Sequence, residues 1–432
     1  MIILALLTLT VTGRLFQMSV LDHDLYLAKA QKQQLVDNDI LPRRGALFAQ
    51  DFSNGHTTTV AQSIESYSLS ATPVNVLDKP EMATLLAGLT GKDQAKLLAS
   101  FELESEYMNP IITGLSKADV ERYAAGIQAL QKQLYPKLAA PKISFDAVQG
   151  DVLYYLGGTF FIKGYRRVYP EGSLMGQALG FVDDTGQGRY GLEEQFNAEL
   201  MGYAGTLRLT RDSKGSLLQQ FELVKGENGN SFELTIDRNV QAQVEQLLAT
   251  RVQESEAKGG SVVVMNPKNG EIIALASSPS YNPNTFRDLT SEQIGLFDNP
   301  VISLQWEPGS IFKPLIMAGA IDQGVVSPET KETFGASVTV DTHVINTALN
   351  KAYGLESMTD VLVNSDNVAM VWLGNKMGNQ MIANYLTSYG FGHPTGIDLQ
   401  NEISGSVLPV SEWRKINQAT VTFGQGIAVT PM

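Results

Sequence analysis

The apolar residues at the start of the chain predict a membrane-associated helix. Residues 1–13 carry no charge and are mostly apolar. As a helix they would extend about 20 Å at ~1.5 Å per residue, which is short of the ~30 Å core of a bilayer. Helical spacing continues through residues 14–38, where Lys and Gln become frequent. We interpret residues 1–13 as a partial transmembrane anchor that begins upstream, with a buried N-terminal helix and an atypical signal peptide as the alternatives.

Residues 39–230 mix short strand-like runs with helical periods. A spacing of 3.6 residues predicts surface helices over residues 82–98 and 117–134, and residues 151–163 have the pattern of a strand. Gly pairs and Pro mark several turns. The region contains no repeat, and no constellation of titratable residues in it suggests catalysis. We therefore interpret it as a binding or spacer region.

The pattern changes near residue 231. Residues 232–236 alternate like a strand, and Asp237 then occupies the N-cap position of a helix that Gly259-Gly260 ends. Two further strand-like runs flank the loop 266–270, whose Asn-Gly end predicts a β-hairpin. A mixed α/β domain therefore begins between residues 231 and 259. The predicted apolar face of its first helix comprises Val240, Val244, Leu247, Leu248 and Val252.

Composition narrows the possible functions. The 432 residues predict two or three domains, and 43% hydrophobic with 18% charged residues indicates a folded chain. The net charge of −13, without a basic run, argues against a nucleic-acid-binding surface. The absence of cysteine removes disulfides and thiolate chemistry, and the four histidines form no HExxH or HxH pair. We expect neither a metal nor an organic cofactor.

The segment from Trp306 to Pro314 contains Ser310 and Lys313, three residues apart at the start of an apolar helix. On a helix this spacing places both side chains on one face. A serine hydroxyl needs an adjacent base to become a nucleophile. Burial can lower a lysine pKa by ~3–5 and make the amine such a base. We expect Ile311, Phe312 and the apolar helix to supply this burial, and the helix start to offer N–H groups to an oxyanion.

The Ser-x-x-Lys spacing alone is weak, because Ser255 and Lys258 repeat it in a polar helix end where nothing would bury the lysine. A second candidate is the run from Ser365 to Asn367. Ser365 could relay a proton to a leaving amine, and Asn367 could bind a substrate amide or the lysine. Equally, Ser, Asp and Asn are helix-capping residues, and Ser280-Tyr-Asn repeats Ser-x-Asn elsewhere. Both interpretations of Ser365 stay open on the residues alone, whereas Asp366 is interpreted as structural.

Ser310-Ile-Phe-Lys313 and Ser365-Asp-Asn367 resemble the first two motifs of the penicillin-binding proteins and serine β-lactamases. The surrounding segments are similar to those of the class B penicillin-binding proteins, the monofunctional transpeptidases. Residues 389–398 and 413–420 look more like the division-specific branch than the elongation branch. The similar segments, spread over nearly the whole chain, are Arg44-Gly45, Arg167–Pro170, Gly191–Glu193, Leu234–Asp237, Gly270–Ser280, Glu307–Pro314 and Phe423–Pro431.

This resemblance implies an α/β (α+β) fold: an elongated mixed α/β pedestal over residues 14–230, followed by a transpeptidase domain over residues 231–432. It implies a single-pass protein of the bacterial inner (cytoplasmic) membrane whose catalytic domain is extracytoplasmic. Its substrates would be D-Ala-D-Ala stem peptides, its covalent inhibitors β-lactams, and its partners division or elongation proteins. No nucleic acid is expected.

The resemblance also implies the role of each site residue. Ser310 attacks the penultimate carbonyl of the stem peptide, and Lys313 is the general base. Ser365 relays the proton to the departing D-Ala, and Asn367 orients the donor peptide or Lys313. A neighbouring amine then resolves the acyl-enzyme and forms the cross-link.

One departure from the family is serious. Its third motif, Lys-Thr-Gly or Lys-Ser-Gly, occurs nowhere in this sequence, and residues 419–432 alternate like a half-buried segment up to the last residue. We expect truncation, at both ends, to explain this better than loss by mutation. The chain would then lack one wall of its active site and could be inactive as it stands.

Three alternatives to a transpeptidase remain. A β-lactamase or β-lactam sensor would use the same motifs, although a minimal hydrolase needs no pedestal. A non-catalytic scaffold of the wall-synthesis complex would need only the pedestal. A Ser–His–Asp hydrolase is remote, because the sequence has no Gly-x-Ser-x-Gly elbow.

Overall fold

The computed structural model describes residues 8, 11–22, 35–40, 42–103, 110–136, 152–211 and 217–432. Two compact units are distinguished. The described residues within Met1–Phe48, Thr59–Pro170 and Ala198–Phe232 form the first, and those within Ala49–Thr58, Glu171–Asn197 and Glu233–Met432 form the second. The predicted domain limits at residues 13 and 230 stay predictions.

The elements up to residue 237 alternate between strands and helices. They are β1 (Leu35–Ile40), β2 (Leu47–Asp51), β3 (His56–Ala71), α1 (Lys79–Thr90), α2 (Gln94–Phe101), β4 (Ile112–Leu115), α3 (Lys117–Leu134), β5 (Val152–Leu156), β6 (Thr159–Val168), α4 (Gly176–Leu179), β7 (Phe181–Val182), β8 (Gly188–Arg189), α5 (Gly191–Gln195), α6 (Asn197–Met201), β9 (Gly205–Arg211), β10 (Leu217–Val224) and β11 (Phe232–Asp237).

The elements from residue 238 onward are mostly helical around the candidate site. They are α7 (Arg238–Glu254), β12 (Gly260–Met265), β13 (Ile272–Ser278), α8 (Pro300–Ser303), α9 (Lys313–Asp322), β14 (Lys331–Phe334), β15 (Ser337–Val340), β16 (His343–Asn346), β17 (Gly354–Ser357), α10 (Met358–Asn364), α11 (Asn367–Met377), α12 (Asn379–Ser388) and α13 (Lys415–Val421).

Most of the predicted anchor lies outside the described residues. Residues 11–16 are α-helical and Gln17–Leu21 form a π-helix. Among the helices described, none is both long and apolar enough for a membrane crossing. The predicted continuation of a helix to residue 38 is wrong at its end. There, β1 pairs antiparallel with β9, so hydrogen bonds to a distant strand replace the local helical ones.

The first unit packs helices against an antiparallel sheet. β3 pairs with β6 over its second half, and β5 and β4 pair with β6 and β3 respectively. The predicted strand over residues 151–163 is in fact a hairpin, because Gly157 and Gly158 both have positive φ and reverse the chain. The core between sheet and helices includes Leu69, Leu86, Phe101, Ile127 and Phe161, all fully buried.

The helices of this unit follow their local end signals. The prediction for residues 117–134 is confirmed by α3, which Ser116 and Asp119 begin with a capping box. The single helix predicted over residues 82–98 is two helices. Gly91, at a φ of 69°, ends α1, and the Asp93 side chain accepts the Lys96 N–H to begin α2.

The elements that follow residue 231 form as the sequence predicts. β11 leads into α7, and the Asp237 carboxylate caps α7 by accepting the N–H groups of Asn239 and Val240. β12 and β13 form the predicted hairpin. The predicted apolar face of α7 is wrong at Leu247, which is 66% exposed. Instead Gln241 is buried, and its amide makes two hydrogen bonds to the backbone of Leu275 in β13.

The hydrophobic core of the second unit surrounds α9 and α11. Ile316 and Met317 of α9 pack in one cluster with Met370 and Leu373 of α11. The sequence of α9 is apolar on every side, which predicts a fully buried helix, but the structure buries only part of it. The face with Pro314, Ala318 and the partly exposed Ile321 meets solvent. Only the face that carries the lysine of the candidate site is therefore enclosed by the core.

Candidate active site

The turn Gly309–Phe312 places Ser310 directly before α9. It is a 3₁₀ turn, and Gly309 enters it with a φ of 60°. Residues three apart eclipse one another in this kind of helix, so Ser310 and Lys313 project on the same side, as the sequence predicts. The Ser310 side chain is exposed, and its hydroxyl makes no hydrogen bond with any described residue. The hydroxyl is therefore available to a ligand.

Lys313 follows at the start of α9 and is buried, with only 1% of its surface exposed. Its Nζ is 2.7 Å from the Ser365 carbonyl oxygen, 2.9 Å from Ser365 Oγ and 2.7 Å from Asn367 Oδ1. Three acceptors match the three N–H bonds of an ammonium. A neutral amine would keep two of these donors and direct its lone pair at a hydroxyl. The pocket therefore accommodates both protonation states.

The surroundings of Lys313 favour the neutral amine. Burial lowers its pKa from 10.5 to about 8, and the nearby Asp366 carboxylate opposes that change. The expected contribution of Ile311 to this burial is wrong, because its side chain is 68% exposed. Side chains two residues apart on a helix point in different directions. Because Lys313 points into the core, Ile311 points outward. The buried side chains of Phe312 and Ile316 supply the apolar surroundings instead.

The run from Ser365 to Asn367 both caps a helix and contacts the lysine. Asp366 Oδ1 accepts the N–H groups of Val368 and Ala369, which begins α11. Ser365 has a φ of 53°, a left-handed conformation that costs a non-glycine residue about 1 kcal/mol or more. This sharp turn presents the carbonyl and the hydroxyl of Ser365 to Lys313. The two interpretations of the motif are thus compatible.

The orientation of the Asn367 amide is fixed from its other end. Its Nδ2 donates to the backbone oxygen of Asn346, the last residue of β16, at 3.0 Å. Because the nitrogen is committed to this carbonyl, Oδ1 faces the Lys313 amine. The structure therefore brings three of the four predicted residues, Lys313, Ser365 and Asn367, into direct hydrogen-bonded contact.

A segment far along the chain supports the turn that carries Ser310. The N–H of Gly309 donates to the Gly424 oxygen at 2.9 Å, and Glu307 accepts the Gly426 N–H at 2.8 Å. Trp306 and Val429 form a β-bridge. No separate role for Glu307 was predicted from the sequence. The signal that could have found it is an acidic residue directly before the Pro-Gly turn.

The repeated motifs elsewhere have different surroundings. Ser255 and Lys258 are both exposed, at the end of α7. Ser280 donates its hydroxyl to Gln177 Oε1, a contact that holds a loop. Within the described residues, no group of three or more His, Asp or Glu side chains is arranged to hold a metal ion. The environment of the lysine, and not the spacing, separates Ser310 from Ser255.

Comparison with known proteins places both units in one family. Residues 260–432 match the family described as the penicillin-binding protein transpeptidase domain, and residues 39–234 match the penicillin-binding protein dimerisation domain. The chain belongs to the class B penicillin-binding proteins. The resemblance stated from the motifs and the predicted α/β fold are therefore confirmed.

Curated relatives of this penicillin-binding protein come from several bacteria. Stage V sporulation protein D of Bacillus subtilis (strain 168) is 32% identical over 67% of this chain and 45% of the relative. Peptidoglycan D,D-transpeptidase FtsI of Escherichia coli (strain K12) is 30% identical over 64% and 46%. The probable peptidoglycan D,D-transpeptidase PbpC of Pseudomonas aeruginosa is 28% identical over 98% and 69%. The matched region thus spans about half the length of the first two relatives.

Solved structures share the fold. A peptidoglycan synthetase from Bifidobacterium adolescentis has a TM-score of 0.65 and 25% identity, covering 92% of this chain and 71% of its own. A penicillin-binding protein PBP2, solved with MreC from Helicobacter pylori, has a TM-score of 0.71 at 19% identity, with coverages of 92% and 75%. The second likeness shows the fold alone.

Proposed function

We propose that this penicillin-binding protein is a serine-type peptidoglycan D,D-transpeptidase that cross-links D-Ala-D-Ala stem peptides. The observation that carries the proposal is the buried Lys313 amine, which lies on the same side as an unbonded Ser310 hydroxyl and contacts Ser365 and Asn367. A lowered lysine pKa, a nucleophile beside it and a second hydroxyl are what acyl transfer requires. The relatives named as D,D-transpeptidases support the substrate class.

In the first half of the proposed reaction, Ser310 Oγ attacks the carbonyl carbon between the two D-Ala residues. Its proton passes to the neutral Lys313 amine. The negative oxygen of the tetrahedral intermediate faces the next N–H groups of the Gly309–Phe312 turn, beginning with that of Ser310, because the Gly309 N–H is bound to the Gly424 oxygen. The C–N bond then breaks. The departing D-Ala amine takes a proton from the Lys313 ammonium through the Ser365 hydroxyl, and an ester on Ser310 remains.

In the second half, the amine of a neighbouring stem peptide attacks this ester. It loses a proton through the same lysine, the C–O bond to Ser310 breaks, and the serine oxygen regains a proton. A new amide bond joins the two peptides. Asn367 Oδ1 holds the Lys313 amine during both halves, because its own nitrogen is bound to the Asn346 oxygen.

Labelling with a fluorescent penicillin tests this function. We expect the full-length wild-type protein to form a stable adduct, and its Ser310→Ala variant to form none. Ser255→Ala is the matched control, since it removes the serine of the repeated Ser-x-x-Lys spacing and should label fully. An unlabelled wild type, or a labelled Ser310→Ala variant, would refute the assignment. Rapid release of the adduct would indicate a β-lactamase instead.

We propose further that the protein acts at the division septum, anchored in the inner membrane with its catalytic unit outside the cytoplasm. The relatives named FtsI support the division role. Binding to division or elongation proteins belongs to the same proposal. Imaging a fluorescent fusion in dividing cells tests the septal location and the membrane location. A septal band supports them, and an even lateral or cytosolic signal contradicts them.

A further inference from the structure

A buried carboxyl group, Glu356, lies behind the turn that contacts the lysine. It is on β17 and only 3% exposed. Its Oε1 accepts a hydrogen bond from Asn364 Nδ2 at 2.7 Å, at the end of α10. Its Oε2 is buried and has no hydrogen-bond donor among the described residues. The mechanism proposed above makes no use of this group.

Asp366 also has a carboxylate oxygen without a hydrogen-bond donor. It is fully buried, and Oδ1 accepts two backbone N–H groups of α11, while Oδ2 is buried without a donor. A buried oxygen without a hydrogen bond destabilises the fold, because the hydration that it loses is not replaced. Glu356 and Asp366 lie within hydrogen-bonding reach of each other. A single proton shared between Glu356 Oε2 and Asp366 Oδ2 would satisfy both orphaned atoms at once.

The proton belongs on Glu356. Burial raises the pKa of Glu356, and the neighbouring Asp366 raises it further, whereas the hydrogen bond from Asn364 lowers it. Asp366, in contrast, already accepts two backbone N–H groups through Oδ1 and lies near Lys313.

The acidic neighbours of Glu356 also disfavour its ionised form. Asp360 of α10 contributes a further negative charge. Glu332 is the direct cross-strand partner of Glu356 on β14. Lys331, next to it, interacts with Asp360, and Lys313 lies beyond Asp366. No charged group on these elements therefore favours the ionised form of Glu356 at close range.

We propose that Glu356 is a positioning residue of the transpeptidase site: its protonated carboxyl donates to Asp366 Oδ2 and so holds the Ser365–Asn367 turn against the Lys313 amine. This inference rests on the proposed function and adds a residue to it. Loss of the proton would place two negative charges side by side. The turn would then loosen, and the added charge would favour the protonated, inactive form of Lys313.

Two substitutions separate hydrogen bonding from charge. Glu356→Gln keeps an N–H donor for Asp366 and an oxygen for Asn364, so its penicillin acylation rate near neutral pH should stay within about twofold of the wild type. Glu356→Leu removes the donor and should lower the rate about tenfold or more. Glu332→Gln is the matched control on β14 and should leave the rate unchanged. Equal rates for Glu356→Leu and wild type, or equal losses for Gln and Leu, would overturn the proposal.

The pH dependence of unfolding provides a readout that needs no activity. A carboxyl whose pKa is raised by folding stabilises the protein fully below its unfolded pKa, and this contribution is lost as pH rises through the folded value. The melting temperature of the wild type should therefore fall, relative to Glu356→Gln, as pH rises from about 4.5. Parallel curves of melting temperature against pH for the two proteins would overturn the proposal. This outcome does not depend on penicillin labelling, so it can be told apart from a failure of the proposed function.

Discussion

Near neutrality, the acylation rate should depend on pH through the protonation of Lys313. A pKa of about 8, instead of the ordinary 10.5, leaves roughly a tenth of the amine neutral at pH 7. At the ordinary pKa only about 0.03% would be neutral, so burial raises the supply of base about 300-fold. This corresponds to about 3 kcal/mol at ~1.4 kcal/mol for each pKa unit. The rate of acylation by a fluorescent penicillin should rise tenfold per pH unit below about 8 and level off above it.

The measurement is a series of single-turnover rates between about pH 6 and about pH 10. Lys313→Arg provides the comparison, because a guanidinium stays protonated throughout this range. It should lower the plateau about 10²–10⁴-fold and remove the rise. A wild-type profile that is flat, or whose midpoint lies near 10.5, would refute the argument that burial makes this lysine a base.

Three further predictions concern stability and the support of Ser310. Folding lowers the Lys313 pKa, so the wild-type free energy of unfolding should rise between pH 8 and 10.5, by up to about 3 kcal/mol relative to Lys313→Met. Chemical denaturation measures this, and identical pH profiles for the two proteins would contradict it. Glu307→Gln replaces the carboxylate that accepts the Gly426 N–H, and it should slow acylation about tenfold while the melting temperature changes little; an unchanged rate would show that this contact does not position Ser310. Gly424→Ala should destabilise the chain by about 2 kcal/mol or more, because the new Cβ would lie 2.2 Å from the Gly309 oxygen. The control Gly270→Ala has a similar positive φ but open space around it, so an equal loss of stability in both variants would attribute the effect to backbone conformation and not to the close approach.

Local signals in the sequence were sufficient for much of the site. The spacing of Ser310 and Lys313, the Pro-Gly break before them and the cap at Asp237 each depend on a few adjacent residues, and the structure follows them. The failure at Ile311 is also local. Hydrophobicity was equated with burial, although residues two apart on a helix, such as Ile311 and Lys313, do not share a face.

The rest of the site depends on contacts that no local pattern specifies. Glu307 meets Gly426 across 119 residues, and Asn367 is oriented by a carbonyl of β16. The pair of Glu356, on β17, and Asp366, at the start of α11, depends on tertiary packing. In the sequence, Glu356 looks like an ordinary surface acid and Asp366 like a structural helix-capping residue. Only the structure shows that each is buried with an oxygen that lacks a hydrogen bond.

The close approach of Gly424 to Gly309 affects how substitutions can alter the reactivity of Ser310. The turn that carries Ser310 is fastened to residues 424–429 by a backbone hydrogen bond, a carboxylate and a β-bridge. A displacement of this strap would therefore move the serine oxygen with it. Substitutions along the strap can tune how readily different acylating agents reach the nucleophile, while every residue that those agents touch stays the same.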